Sequence, residues 1–266
     1  MQASRLYAGE QWQISRSLTE IAAQRQLHAR LWVVSAGYGL VRADESLKPY
    51  SATFSRSHPD SILSLPKEPQ ATLLQRWWKA LSSWRPIDSG PRSIAEIADK
   101  FPDVPLLIVA SSTYLSALSD DIIDARNALS DEDLMTIISA GTTTLGSLTG
   151  NLLPCDARLQ AALGGSLMSL NARIARRVLA NSNRTPLSFR ELARIYKRLL
   201  STQPAIQQYD RKSLTNTQVE KYILKKLSGN PEMRASPMLR QLRDEGFACE
   251  QKRFDSLYRK VVAFNE

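Results

Sequence analysis

The sequence predicts an α/β protein in two parts. An N-terminal domain forms three layers around a mostly parallel sheet, and an all-α, helix-turn-helix-like domain follows it. Three observations carry this expectation. Leu31–Val34, Val104–Ala110 and Leu134–Ala140 are apolar runs of strand length, separated by stretches of helical periodicity. Strand signals vanish after Asn181-Ser182-Asn183-Arg184-Thr185-Pro186, whose polar, proline-ended composition marks a linker. Charge divides at the same place: residues 1–183 hold 18 Lys/Arg against 17 Asp/Glu, and residues 184–266 hold 17 against 9. The 266 residues therefore read as an α/β base- or nucleotide-pocket domain over 1–183 and a basic helical domain over 184–266. A basic module beside a neutral one points to a polyanion, and DNA is the first candidate partner.

In chain order, Gln11–Gln26 has helical spacing, with Ile14, Leu18, Ile21 and Ala22 on one face. The buried strand Leu31–Val34 opens into Ser35-Ala36-Gly37-Tyr38-Gly39. Small residues and two glycines at a strand end let a ligand come close to the backbone. The following loop carries Asp44, Lys48, Tyr50 and Thr53, with Pro49 stiffening it. Polar tips interleaved with aromatics suit a small planar ligand such as a nucleobase. The plainer reading is a tight turn followed by a surface loop. Residues 55–70 are rich in Ser and Pro and read as loop. Ala71–Trp84 returns to helix, and its stripe of Leu73, Leu74, Trp77, Trp78 and Leu81 reads as core rather than as a stacking platform.

Ser93–Phe101 is a short helix. Val104–Ala110 is a second strand that opens into Ser111-Ser112-Thr113-Tyr114. Ser130 and the acidic residues after it form a cap before the third strand, which ends in Gly141-Thr142-Thr143-Thr144. Ligands of parallel sheets bind outside the carboxyl ends of the strands. The three strand-end loops are therefore expected to line one crevice. Its ligand-binding residues would be Ser35, Gly37, Tyr38, Gly39, Tyr50, Thr53, Ser111, Ser112, Tyr114 and Thr143. Asn171, near the start of a helix over Ser166–Leu179 capped by Ser166, joins them.

Beyond the linker, Ser188-Phe189-Arg190-Glu191 is a capping box opening Ser188–Leu200, and Thr217–Leu227 is a second helix. Ser236-Pro237 supplies an N-cap and an N1 proline for Met238–Glu245, and Gly246 stops that helix. The last helix, Glu250–Val262, turns Phe254, Leu257, Tyr258 and Val261 inward. Helix, short glycine-containing turn, helix is the helix-turn-helix pattern, although Lys252 stands where a buried aliphatic is expected. Arg240, Arg243, Lys252, Arg253, Arg259 and Lys260 are expected to contact DNA, through phosphates at least. A small solvated basic bundle is the alternative.

No apolar run approaches the roughly 20 residues that span a bilayer, and Met1-Gln2-Ala3-Ser4-Arg5 lacks an apolar signal segment. Cys155, Cys249, His28 and His58 are scattered, which argues against a zinc cluster and for a reducing cytoplasm. There is no phosphate-loop signature, no GxGxxG and no Gly-x-Ser-x-Gly elbow, and no cofactor is expected.

At Ser35-Ala36-Gly37-Tyr38-Gly39-Leu40-Val41, followed by Pro49-Tyr50 and Thr53-Phe54, the chain resembles the YaaA-like α/β domains. In that family a strand ends in a Ser-Ala-x-Tyr-Gly-Leu turn, followed by a Pro-Tyr-x-x-Thr loop. Leu6-Tyr7-Ala8-Gly9 is similar to the family's Leu-Tyr-x-Gly helix start. A related turn occurs in the core domain of archaeosine synthase, which acts on the nitrile of a 7-cyano-7-deazaguanine base in tRNA. The resemblance covers residues 3–180. Such domains begin with a strand and a Cys/Ser/Thr-Lys turn, whereas Met1 here stands almost on Leu6-Tyr7, so that first strand is expected to be missing.

The resemblance implies a DNA-associated protein that recognises and modifies a nucleobase. The pattern is that of the DpdC-like proteins of bacterial 7-deazaguanine DNA-modification clusters, which hydrate 7-cyano-7-deazaguanine in DNA to the amide. A base within a duplex must be flipped out before such chemistry. On this reading Cys155 is a thiolate nucleophile towards the nitrile, and Asp44 or Asp156 handles protons. The alternative for Cys155 is an inert buried thiol, since no histidine lies near it in sequence. The alternative for the whole chain is a non-enzymatic DNA-binding regulator, or a phage-defence accessory with protein partners.

Overall fold

The computed structural model describes residues 1–55, 58–64, 69–85, 90–140, 146–183, 186–205 and 210–265. The chain is a mixed α/β protein that divides into two compact units, Met1–Ala205 and Ile206–Glu266. In the first unit the elements are α1 (Ala3–Leu6), α2 (Glu10–Gln24), β1 (Trp32–Ser35), β2 (Gly39–Arg42), α3 (Gln70–Ser83), α4 (Ile94–Lys100) and β3 (Leu106–Val109). They continue with α5 (Ser112–Ala128), β4 (Met135–Ser139), β5 (Leu152–Pro154), α6 (Arg158–Leu163), α7 (Leu170–Ala180) and α8 (Phe189–Ser201).

All three expected strands form, the first moved on by one residue and the other two trimmed at their ends, but they do not share one ladder. β1 folds back on β2 as an antiparallel hairpin, while β3, β4 and β5 make a parallel sheet in that order. The loop expected after Gly39 thus begins as a strand. Its cause is local: Gly39 takes φ +75°, a conformation nearly free only for glycine, and reverses the chain after Ala36-Gly37-Tyr38. Val33 then pairs with Val41, and both are buried. The third strand of the parallel sheet, Leu152–Pro154, is too short for sequence periodicity to reveal it.

The parallel sheet buries its two faces separately. Met135 and Ile137 of β4 join the core made by Leu74 and Trp78 of α3, Ile94 and Ile97 of α4, and Leu115, Leu118 and Ile122 of α5. Ile138, one residue on, points the other way into Leu159, Leu170, Ile174, Val178, Leu192 and Tyr196 of α6, α7 and α8. All five residues of β4 are buried, as expected of a central parallel strand. The division expected at 183/184 falls before α8, and the compact units divide after it, because Leu192 and Tyr196 belong to the core around β4 and β5.

Caps explain several helix starts. Ser93 and Ser111 accept the Glu96 and Tyr114 amides at the heads of α4 and α5. Ser188 accepts the Glu191 amide, but Glu191 turns its carboxylate to the Asn183 amide at 2.8 Å, so only half of the expected capping box forms. Ser166 does not cap α7. A 3-10 turn over Leu167–Ser169 intervenes, and the Ser166 hydroxyl bonds Glu10 at 3.2 Å.

The second unit comprises β6 (Lys212–Ser213), α9 (Asn216–Gly229), α10 (Ala235–Asp244), β7 (Phe247–Ala248) and α11 (Gln251–Asn265). Thr215 and Gln218 form a complete capping box on α9. Arg234, rather than Ser236, is the N-cap of α10, which puts Pro237 third in the helix, still within the first turn where a missing N–H costs no bond. The core is Val219, Ile223, Met238, Leu239, Leu242, Cys249, Phe254, Leu257 and Val261. The unit is not wholly helical, since β6 and β7 pair in parallel for two residues. β7 lies in the connection between α10 and α11, so that connection is longer than the short turn read from Gly246.

Candidate functional site

The β1–β2 turn and the loop after it do converge. Ser35, at the end of β1, is 1% exposed and donates to the Tyr50 hydroxyl at 2.7 Å. Tyr50 in turn shares a hydrogen bond with the Tyr7 hydroxyl at 3.1 Å. The same Ser35 oxygen accepts the Gly37 and Tyr38 amides at 3.3 and 3.1 Å, which clamps the turn. Tyr38 meets the Tyr50 ring edge-on at 5.2 Å between centroids and donates its hydroxyl to the Lys48 carbonyl at 3.2 Å. Gly37 is required by space: a Cβ there would stand 2.3 Å from Cδ2 of Tyr50.

Tyr114, on the segment after β3, joins from another element. Ser111 caps α5, and Ser112 opens that helix and is exposed. Tyr114 packs its ring against Phe54 at 4.8 Å, and its phenol lies within reach of Thr53 and under the influence of Tyr50. Two of the three expected loops therefore meet although their strands belong to different sheets. The third, Gly141–Thr144 with Thr143, lies outside the described residues. Asn171 is buried on α7, where its carboxamide oxygen accepts the Ala172 amide at 2.8 Å; no bond joins it to the Ser35 group among the described residues.

Two members of this group were not among the sequence candidates. Tyr7 was visible only as part of the Leu6-Tyr7-Ala8-Gly9 segment. Arg92 had no signal, since it acts across the fold. It is 2% exposed, donates to the Tyr38 carbonyl, approaches Glu45 at 3.5 Å and lies 5.4 Å over the Trp84 ring. Trp77 adds a further tie, donating to the Ala36 carbonyl at 2.8 Å. The turn is thus held from below by a cation and an indole.

Burial raises the Tyr7 phenol well above the ordinary tyrosine range, and the neighbouring Tyr50 adds to the rise while Ser35 opposes it. Burial also raises Tyr114. These hydroxyls remain protonated and can donate hydrogen bonds. Among the described residues the Ser35 hydroxyl bonds Tyr50 and the Gly37 and Tyr38 amides, and no carboxylate or histidine, the kind of partner that activates a serine nucleophile.

The three expected catalytic residues lie elsewhere and are engaged. Cys155 follows β5 and packs on the α6–α8 side of the sheet, and burial pushes its thiol up to about 12. A thiol so raised is almost wholly protonated near neutral pH, the state of an inert buried cysteine. Asp156 is gripped by Arg158 through Nε and Nη2 at 3.1 and 2.7 Å, which lowers its pKa. Asp44 is paired with Arg42, which lowers it likewise, on the rim of a separate open cleft of about 880 Å³ that also carries Arg16, Glu20 and Arg30. Carboxylates held ionised by arginines are poor proton donors.

The six expected DNA contacts divide into two groups. Arg243 donates to the Cys249 carbonyl at 3.0 Å, and its own carbonyl accepts from Arg211 at 3.0 Å. Arg253 bonds Leu214 O and Asn216 Oδ1 at 2.7 and 2.8 Å, tying α11 to the head of α9. Lys260 pairs with Glu220 at 2.8 Å. These three are anchors of the fold. Arg240, Lys252 and Arg259 are exposed, and their side chains make no hydrogen bond or salt bridge among the described residues. Arg240 also lines a concavity of about 280 Å³ with Arg211, Ser236, Arg243 and Asp244.

Among the described residues no His, Cys, Asp and Glu group could hold a metal ion, and no helix is long and apolar enough to cross a membrane. No protein-family model, curated protein or solved structure matches the chain.

Proposed function

We propose that this is a DNA-associated protein that recognises a nucleobase. Its second unit holds the phosphate backbone through α10 and α11, used as a helix-turn-helix. Its first unit is a three-layer, YaaA-like α/β domain that presents the Tyr7 and Tyr50 hydroxyls and the Tyr38 ring to the base, with buried Ser35 bonded to Tyr50. The observation that carries the reading is the set of exposed cations Arg240, Lys252 and Arg259 on two consecutive helices, whose side chains make no hydrogen bond or salt bridge among the described residues. The hydroxyl and aromatic cluster supports base recognition, because protonated phenols and ring faces match the edges and planes of a base.

Base modification is the second reading, with hydration of 7-cyano-7-deazaguanine in DNA as the case implied by the family resemblance. Convergence of the Ser35 and Ser111 loops favours it. The raised Cys155 thiol and the paired Asp44 and Asp156 do not. On either reading the setting is the cytoplasm, alone or with protein partners of a modification or defence system.

Duplex DNA carrying 7-cyano-7-deazaguanine tests both. Binding with an unchanged nucleoside mass is the expected result. Gain of one water would establish the enzyme, and absence of DNA binding at low salt would overturn both readings.

A further inference from the structure

The basic excess of the last third of the chain is not confined to the second unit. Residues 184–205 carry five Lys/Arg against one Asp/Glu, and residues 206–266 carry twelve against eight. The steeper asymmetry therefore sits on α8, which packs in the first unit.

Its arrangement is ordered. Leu192 and Tyr196 point into the core, and Arg190, Arg194, Lys197 and Arg198 are exposed. Positions 190, 194, 197 and 198 fall on one helical face, with 194 four residues after 190, and 197 and 198 three and four residues after 194. The one acid of α8, Glu191, is 5% exposed and turned inward to the Asn183 amide. Among the described residues only Arg190 has a carboxylate partner, Asp133 from the segment before β4, at 3.8 Å. The adjacent α7 adds exposed Arg176 and Arg177. A solvated helix ordinarily alternates charge along its face, because like charges at i,i+4 repel and weaken the helix. Here the repulsion between Arg190 and Arg194, and between Arg194 and Arg198, is tolerated with no outward-facing acid on α8 itself.

We infer that the outward face of α8 is a second phosphate-binding stripe, which contacts the DNA backbone from the first unit. The inference rests on the proposed DNA association and adds a contact outside the α10–α11 pair. From Arg190 to Arg198 the helix rises about 12 Å, the span of three to four phosphates of one strand at about 3.4 Å each. The complementary partner is a linear polyanion rather than a single phosphate, because the cations form a row along the helix.

The test is fluorescence anisotropy of a 20-base-pair duplex with the full chain, titrated across NaCl concentrations. Arg194→Gln/Lys197→Gln/Arg198→Gln removes charge at exposed positions, and a thermal melt checks that it folds. The companion variant is Arg240→Gln/Lys252→Gln/Arg259→Gln. The expected result for the α8 variant is an affinity loss of at least about tenfold, and a plot of log affinity against log salt shallower by about 2 to 3. Wild-type affinity and slope in that variant would overturn the stripe, and if the companion variant then loses binding, the DNA reading stands without it. Loss in the α8 variant alone would keep the stripe and remove the α10–α11 assignment. Wild-type protein that binds phosphatidylserine vesicles and no DNA would overturn both.

Discussion

Single residues decide whether the β1–β2 turn keeps its shape. Gly37 has no conformational need to be glycine; it is excluded from carrying a side chain by the Tyr50 ring. Gly37→Ala is expected to cost about 1–3 kcal/mol in chemical denaturation, the usual range for overpacking. The cost should largely vanish in a Tyr50→Ala background, and a cost that persists there would locate the strain elsewhere. Cys155 makes the opposite point. A thiol raised to about 12 by burial should react with iodoacetamide at pH 7.5 far more slowly than in the unfolded chain. Rapid alkylation of the folded protein would restore it as a candidate nucleophile.

Among elements, α2 and α7 are joined by a polar clasp that no sequence motif announces. Glu10, in the first turn of α2, accepts from Arg173, Ser169 and Ser166, which holds its carboxyl down to about 2. Ser169 is the largest cause and Arg173 the next. Because the folded pKa lies below the ordinary value, the clasp stabilises fully above about pH 4.5 and is lost as pH falls towards 2. Glu10→Gln is therefore expected to lower Tm at pH 7 and to flatten the Tm–pH curve across that window. An unaltered acid limb would mean the clasp adds nothing. Asp121 plays a comparable role among α3, α4 and α5, accepting from Trp78 Nε1, Ile94 N and Ala95 N at 2.9 Å each. Burial raises its pKa, and the hydrogen bonds from Ala95, Ile94 and Trp78 oppose that rise.

For the whole molecule, each unit has its own core. All five tryptophans lie in Met1–Ala205, so indole fluorescence reports the first unit alone. Phe254→Ala empties the centre of the second core and is expected to cost about 3–5 kcal/mol there. Far-UV circular dichroism should show an earlier loss of helix while the tryptophan transition stays in place. An equal shift of both signals would show that the two units unfold as one. On the proposed DNA association, the same variant should weaken DNA binding, since Arg240, Lys252 and Arg259 lie on the helices that build that core.

Patterning alone determined most helices, three of the strands and the core role of Trp77 and Trp78, because periodicity and capping act over a few residues and leave their mark in order along the chain. It also marked Ser35, Gly37, Tyr38 and Tyr50 as one group, since they lie within sixteen consecutive positions. What the tertiary structure decided is which segments meet. Pairing of β1 with β2 instead of β3, recruitment of Leu152–Pro154, and the transfer of α8 to the first core depend on contacts between distant residues. So do the burial of Arg92 beneath Tyr38 and the capture of Arg253 by Leu214 and Asn216, whereas Asp44 and Asp156 pair with arginines only two residues away. A charged side chain reads the same in sequence whether it faces solvent or a neighbour. Only the packing that surrounds it separates an anchor from a free cation.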